Sequence, residues 1–243
     1  MILSGKGEGT ILLMNRMKDV GTNRILDIIA RLEAIYGAAI QPPPRFEPLD
    51  ELIACILSQH TSDINSSRAF KQLKSRFPTW ELVELAPVDL VADSIRSGGL
   101  GDCKAVRIQT VLKAIREKRG ELSLNFLQEL SDEEGRDWLI SLPGVGPKTA
   151  AIVLCFSLMR PALPVDTHVF RVSWRLGLID KRIGEAKAHE ALKVQVPCGM
   201  VYRFHVALIQ HGRQVCKAPV PRCGSCPLAS ICLWRKTQIQ AGI

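Results

Sequence analysis

Residues 136–155 read Arg136-Asp137-Trp138-Leu139-Ile140-Ser141-Leu142-Pro143-Gly144-Val145-Gly146-Pro147-Lys148-Thr149-Ala150-Ala151-Ile152-Val153-Leu154-Cys155. Two short helical stretches flank Leu142-Pro143-Gly144-Val145-Gly146. Glycine reaches backbone conformations barred to other residues and lets a phosphate come close to peptide N–H groups. Pro147 suits the first position of the second helix, where its missing N–H costs nothing. The free N–H groups and the dipole of that helix then face an anion. The stretch therefore predicts helix, hairpin, helix. Leu142, Gly144, Val145 and Gly146 form the loop that would meet a phosphate.

Helical periodicity continues on both sides. Ile25, Ile28, Ile29, Leu32 and Ile35 recur on one face, with Thr22 or Asn23 as cap and Gly37 as stop. Gln41-Pro42-Pro43-Pro44 reads as a rigid extended connector. Further helices are expected near 49–59, 62–76, 80–86, 88–96 and 102–118, punctuated by Pro78, Pro87 and Gly98-Gly99. Others follow at about 133–141, 147–159, 167–177, 184–194 and 201–211. No segment shows sustained strand alternation, and Asn-Gly or Asp-Gly hairpin signals are absent. The chain reads as all-α. Residues 1–20, with Gly5, Gly7 and Gly9 and no periodic face, are expected to form a poorly ordered N-terminal extension.

The 243 residues, 47% hydrophobic, suffice for a full core in one large or two modest domains. No apolar run approaches a membrane span, so no membrane partner is expected. Ile11-Leu12-Leu13-Met14 is too short for the core of an export signal. Thiol chemistry without such a signal points to a reducing, intracellular compartment, cytoplasm or nucleoid. The net charge of +8 is uneven: Ala191 to Ile243 carries seven basic residues and no acid. A one-signed field of this kind fits a polyanionic partner, with nucleic acid foremost. Partial neutralisation of neighbouring thiolates is the other reading. Together with the hairpin, the charge marks 136–155 as a helix-hairpin-helix, a sequence-independent grip on DNA backbone shared by catalytic and non-catalytic proteins alike.

Cys216, Cys223, Cys226 and Cys232 lie at gaps of six, two and five residues, all within seventeen. Four thiolates so close can converge on one centre. Structural zinc more often uses two C-x₂-C pairs on separate turns, and only one such pair is present. A four-iron cluster wrapped by four cysteines fits the spacing better. Zinc and two disulfides are the alternatives. Cys55, Cys103, Cys155 and Cys198 are scattered singly, and burial as small hydrophobes suits most of them.

Lys148 falls in the first turn of the second hairpin helix. It could neutralise a phosphate. It could also act as a nucleophile, because the positive end of the dipole disfavours the ammonium and helps expose a free amine. Pro164-Val165-Asp166-Thr167-His168 precedes an amphipathic stretch. Asp166 could serve as an N-cap. A carboxylate beside a sugar also stabilises an oxocarbenium-like transition state and handles protons.

Leu142-Pro143-Gly144-Val145-Gly146-x-Lys148-Thr149-Ala150, Val165-Asp166-Thr167-His168, His211-Gly212-Arg213 and the cysteine spacing occur in this order. Jointly they resemble the endonuclease III family of DNA glycosylases and abasic-site lyases, over about residues 22 to 236. The resemblance implies the helix-hairpin-helix DNA glycosylase fold, with duplex DNA bound in a cleft between two all-α domains. One is a six-helix barrel, 41–160. The other, 21–40 plus 161–243, is a helical 4Fe–4S cluster domain. It also implies a monomer that flips a damaged base out of double-stranded DNA, cuts its glycosidic bond and opens the abasic site by β-elimination. Lys148 is then the Schiff-base nucleophile, Asp166 the catalytic carboxylate, and Cys216, Cys223, Cys226 and Cys232 the cluster ligands. Lys217 and Arg222, on the cysteine loop, would bear on the DNA backbone.

Departures from the family pattern concern the substrate. Where the family usually shows Leu-Ser-Ala-Gln-Ala-Thr-Asp, this chain has Leu57-Ser58-Gln59-His60-Thr61-Ser62-Asp63. His60 falls where a glutamine fills the gap left by the flipped base; an ordinary polar loop residue is the other reading. The Gln-x-Thr order starting at Gln59 is shared with adenine glycosylases, but Cys55 occupies the place of their glutamate and they lack the lysine. Leu100 matches a wedge leucine, followed by Gly101-Asp102-Cys103 instead of Tyr-Asn-Ser. Pro147 replaces a frequent arginine. The expected function is a bifunctional glycosylase and lyase for damaged, oxidised pyrimidines. A monofunctional glycosylase for another lesion and a non-catalytic DNA-binding or redox-sensing hairpin protein are the rivals.

Overall fold

A computed structural model describes residues 22–37 and 45–240, and among these every regular element is helical. The expectations for residues 1–20 and for the connector 41–44 lie outside the described residues. Two compact units emerge, Pro44–Ala162 and Met1–Pro43 together with Leu163–Ile243.

Helix α1 spans 22–36 and belongs to the second unit. Its Ile25, Ile28, Ile29 and Leu32 are buried, as their spacing predicts. Ile35 departs from that face and is 58% exposed. Between Pro44 and Ala162 run α2 (Pro48–Ser58), α3 (Asp63–Arg76), α4 (Trp80–Leu85), α5 (Val88–Ser94), α6 (Gly101–Arg119), α7 (Asp132–Ile140) and α8 (Pro147–Ile152). The second unit continues with α9 (Thr167–Leu176), α10 (Gly184–Lys193), α11 (Val201–Gln214) and α12 (Leu233–Gln240). Sequence reading does not anticipate α12, which is short and carries no fully buried face.

Local chemistry accounts for the helix boundaries in the first unit. Pro48 opens α2. The Ser62 hydroxyl accepts the Asn65 N–H at the start of α3, and Ser131 with Glu134 forms a reciprocal capping box on α7, a device worth about 1 kcal/mol. Gly120, with φ 79°, ends α6 behind the basic last turn Arg116, Lys118 and Arg119, whose charge complements the dipole. The core gathers Leu52, Ile53, Ile56 and Leu57 of α2 with Ile108, Val111, Leu112 and Ile115 of α6. Each such side chain contributes roughly 1.5–3 kcal/mol on burial. The helix expected through residue 159 is α-helical only to Ile152, then widens into a π turn over Val153–Ser157. Met159 is left-handed (φ 54°) and the Arg160 N–H reaches back to the Leu154 carbonyl, closing the segment.

In the second unit, Arg203 of α11 pairs in a fork with Glu33 of α1, and Arg24 of α1 donates to the Leu176 carbonyl at the end of α9. These charge-assisted contacts dock the N-terminal helix onto the C-terminal ones. Gly177 ends α9 with φ 79°, and a Cβ there would lie 2.7 Å from Leu233 Cδ2 and 3.1 Å from Leu233 Cβ of α12. Gly120, at the end of α6, is equally left-handed (φ 79°, ψ −14°) but has open space around it. Gly120→Ala should cost only the left-handed backbone, about 1–2 kcal/mol. Gly177→Ala should cost more, because α12 must also move. Thermal melts of the two variants check this, and equal drops in Tm would show that the docking of α12 contributes nothing.

Candidate functional site

The hairpin joins α7 to α8 through the left-handed Gly144 (φ 74°) and the extended Gly146 (φ −99°, ψ 176°), with Pro147 at the first helical position. Leu142 and Val145 turn their side chains into the core, 2% and 5% exposed. The Val145 N–H donates to the Leu142 carbonyl at 3.2 Å. What this loop presents outward is therefore backbone at Gly144 and Gly146. Lys148 is exposed in the first turn of α8, where N–H groups lack partners within the helix.

Two further stretches of the same unit meet around α6. His60, exposed after the end of α2, has φ 55°, and Leu100, 58% exposed at the start of α6, has φ 53°. Left-handed backbone in a histidine and a leucine is sterically unfavourable and concentrates at working surfaces. Arg107 donates to the Gln59 side chain, and its aliphatic stem lies 3.4 Å from where a Cβ on Gly144 would sit. Arg107 thus lies between Gln59 and the hairpin. Lys104, one turn earlier on α6 and 3% exposed, donates to the carbonyls of Leu57 at 2.8 Å and Gly98 at 2.9 Å. Sequence reading misses both Lys104 and Arg107. For Lys104 a signal exists: it occupies the row 104, 108, 111, 115 that is otherwise apolar.

Beneath these loops α2 packs on α8 and on the π turn. Glu51, one turn before Cys55 on α2, has its carboxyl pushed up to about 7, chiefly by burial. The Cys55 thiol is 3.9 Å from Glu51 Oε1. It is pushed up by burial and by Glu51, against the opposing charge of Lys148. Cys155 on the π turn is pushed up to about 12, by burial and then Glu51. Cys55 and Cys155 are buried as expected of small hydrophobes; Cys103 and Cys198 are exposed, so that reading holds for half of the four.

In the second unit α9 organises the remaining candidates. Asp166 caps it, its Oδ1 accepting the Val169 N–H at 2.8 Å. Arg171 Nε donates to the Cys216 carbonyl, and its Nη2 to that of Gly212, each at 2.9 Å. Arg175 donates to the carbonyls of Lys217 at 2.8 Å and Ala218 at 2.9 Å, and approaches Cys216 Sγ at 3.4 Å. The backbone at Lys217 is thus held while its side chain, like that of Arg222, is exposed.

Cys216, Cys223, Cys226 and Cys232 line one cavity together with His211, Arg175 and Trp234. Among the described residues no group of three His, Cys, Asp or Glu is placed to hold a single metal ion. Burial and then the other three thiols push Cys226 up to about 11. Four thiolates gathered here repel one another unless a cationic group sits among them. Arg175 keeps a buried Nε–H with no partner among the described residues. His211, pulled down to about 4 by burial, stands 3.5 Å from Cys226 Sγ through Nε2 and 3.3 Å from the Tyr36 hydroxyl through Nδ1. An all-sulfur donor set ringed by N–H donors fits an iron–sulfur group.

The profile of the HhH-GPD superfamily, described as base excision DNA repair proteins, matches residues 53–198. A candidate DNA glycosylase of Arabidopsis thaliana is 38% identical over 190 residues, which cover 74% of this chain and 64% of the plant protein. Endonuclease III of Thermotoga maritima is 38% identical over 187 residues, covering 76% of this chain and 83% of the relative. Among solved structures, an endonuclease III trapped as a covalent intermediate on DNA aligns with a TM-score of 0.76 at 30% identity. That alignment covers 90% of this chain and 98% of the other. No helix among the described residues is long and apolar enough to cross a membrane.

Glu51 yields a pH test. Its folded value of about 7 lies above the roughly 4.3 of an unfolded glutamate. The neutral carboxyl's stability is therefore fully present below about pH 4.3 and is lost as pH rises through 7. Glu51→Gln should melt with wild type at pH 4 and above it at pH 8. A Tm difference independent of pH would show that Glu51 is not held neutral by burial.

Proposed function

Because the chain belongs to the endonuclease III family of HhH-GPD base excision DNA repair proteins, we propose that it excises oxidised pyrimidines from double-stranded DNA inside the cell and then nicks the resulting abasic site. It is a DNA glycosylase and abasic-site lyase. The observation that carries the residue assignment is Lys148, exposed in the first turn of α8 directly behind the Gly144–Gly146 hairpin.

The hairpin backbone at Gly144 and Gly146 holds a phosphate, supported by Arg107 beside Gly144; the exposed Lys217 and Arg222 of the other unit bear on the DNA backbone. The target nucleotide leaves the stack. Leu100 parts the strands, and His60, with Gln59 beside it, takes up the space the base vacates. The neutral amine of Lys148 attacks the sugar C1′ as the bond to the base breaks, the base departing with a proton. Asp166 supports the positive charge that spreads over the sugar ring, its cap bond to Val169 fixing its direction. The C1′–nitrogen adduct becomes a Schiff base. Removal of a C2′ proton then expels the 3′ phosphate and cuts the strand.

Cys216, Cys223, Cys226 and Cys232 are assigned to a 4Fe–4S cluster. The four thiols line one cavity with Arg175 and His211 beside them, a donor set that suits a cluster held by four cysteines. When bound, the cluster cross-links the Cys216–Cys232 loop; Arg171 and Arg175 orient that loop from α9. Aerobically purified protein should be yellow-brown and contain iron. Stoichiometric zinc without iron would refute the assignment.

Lys148→Gln should abolish strand nicking and borohydride trapping on an abasic duplex. Binding should persist, with the salt dependence of log K falling by about one unit at most. Nicking at the wild-type rate would reduce Lys148 to a phosphate contact and favour a non-catalytic binding protein.

A further inference from the structure

Two exposed residues of the unit 44–162, His60 and Leu100, hold left-handed backbone without being glycine. They lie forty residues apart in the chain, on loops that leave different elements. Something must hold both loops in conformations that their own side chains disfavour.

The ammonium of Lys104 stands between them. Its partners are the carbonyl of Leu57, three residues before His60, and the carbonyl of Gly98, two residues before Leu100. Leu57 lies in the last turn of α2, where carbonyls have no intrahelical partner and the dipole is negative. Gly98 closes the 3₁₀ turn Arg96–Gly98. One nitrogen therefore satisfies a carbonyl at the departure point of each loop and holds the two side by side. Lys104 itself sits in a row of α6 whose other members, Ile108, Val111 and Ile115, are fully buried. An apolar side chain would fill that row without the desolvation cost of a charge. It could not bind either carbonyl.

We propose that Lys104 is a positioning residue that locks the 59–61 and 98–100 loops at a fixed mutual placement, so that His60 and Leu100 enter the duplex as one rigid pair. The inference rests on the reading above that these loops enter DNA, and it assigns the control of base extrusion to a residue that never touches DNA.

Lys104→Met keeps the length of the side chain and removes the donors. The decisive quantity is a ratio of two rates: excision from a duplex bearing a damaged pyrimidine, and nicking of a single-stranded abasic oligonucleotide. The second needs the Lys148 amine but has no strands to part. Lys104→Met should lower kcat/KM on the damaged duplex by about tenfold or more while single-strand nicking stays near wild type, and Lys104→Arg, which keeps its donors, should recover most of the loss. A variant that is only partly folded loses both rates in proportion, so an unchanged ratio overturns the proposal, as does a wild-type rate on the duplex. Should Lys104→Met fail to fold, Lys104→Gln, which keeps one donor group, is judged by the same ratio. A wild-type protein that nicks neither substrate refutes the lyase reading instead. The fluorescence of 2-aminopurine extruded from a bound duplex then decides Lys104 alone: equal signals from wild type and Lys104→Met overturn it, and a smaller signal from the variant supports it.

Discussion

A charge cannot remain in an apolar core without partners, and Lys104 meets that constraint with two main-chain carbonyls rather than a carboxylate. Two loops of the unit 44–162 depend on this choice. A carboxylate would have neutralised the ammonium and left the ends of α2 and of the 3₁₀ turn with unpaired oxygens. Carbonyl partners satisfy those ends and tie down two loops whose exposed tips are sterically strained. Arg107, three residues further along α6, donates to Gln59 and lies beside Gly144 of the hairpin. One helix face thus gathers three stretches that are remote in the chain.

The second unit solves a similar problem with arginines. Between Cys216 and Cys232 the only regular element is the 3₁₀ turn Cys223–Ser225, and the loop's own backbone bonds are those of successive turns, such as Cys226 N–H to Cys223 and Ala229 N–H to Cys226. Arg171 and Arg175, one turn apart on α9, direct planar donors at the carbonyls of Gly212, Cys216, Lys217 and Ala218. The helix that Asp166 caps is therefore also the one that orients the thiol loop. A guanidinium suits this work because its several N–H groups can reach neighbouring carbonyls at once.

Legibility followed the physical origin of each feature. The buried faces of α1 and α6 were readable because a 3.6-residue period must reappear wherever a helix covers a core. Ile35 broke the pattern, staying exposed although Tyr36 beside it reaches His211. The exposure of Cys103 and Cys198 went unread because a lone cysteine has no period from which burial can be judged. Helix α12 went unread because it is short and docks through Leu233 over Gly177, a contact with no local signal. The π turn at Val153–Ser157 was likewise silent, since an α and a π turn ask for the same apolar residues.

The sequence by itself determined the all-α class, the hairpin with its obligatory left-handed glycine, the cap at Asp166 and the grouping of four cysteines. Each of these follows from chemistry within a few consecutive residues: backbone sterics, an orphan N–H, the spacing of thiols. Only the tertiary structure decided that His60 and Leu100 would be left-handed, that Glu51 would be half-buried, and that Lys104 would bridge Leu57 and Gly98. Those outcomes depend on which distant groups share a dehydrated space. No local pattern encodes that, because the cost of an unpaired buried charge or carbonyl arises only once the chain has packed around it.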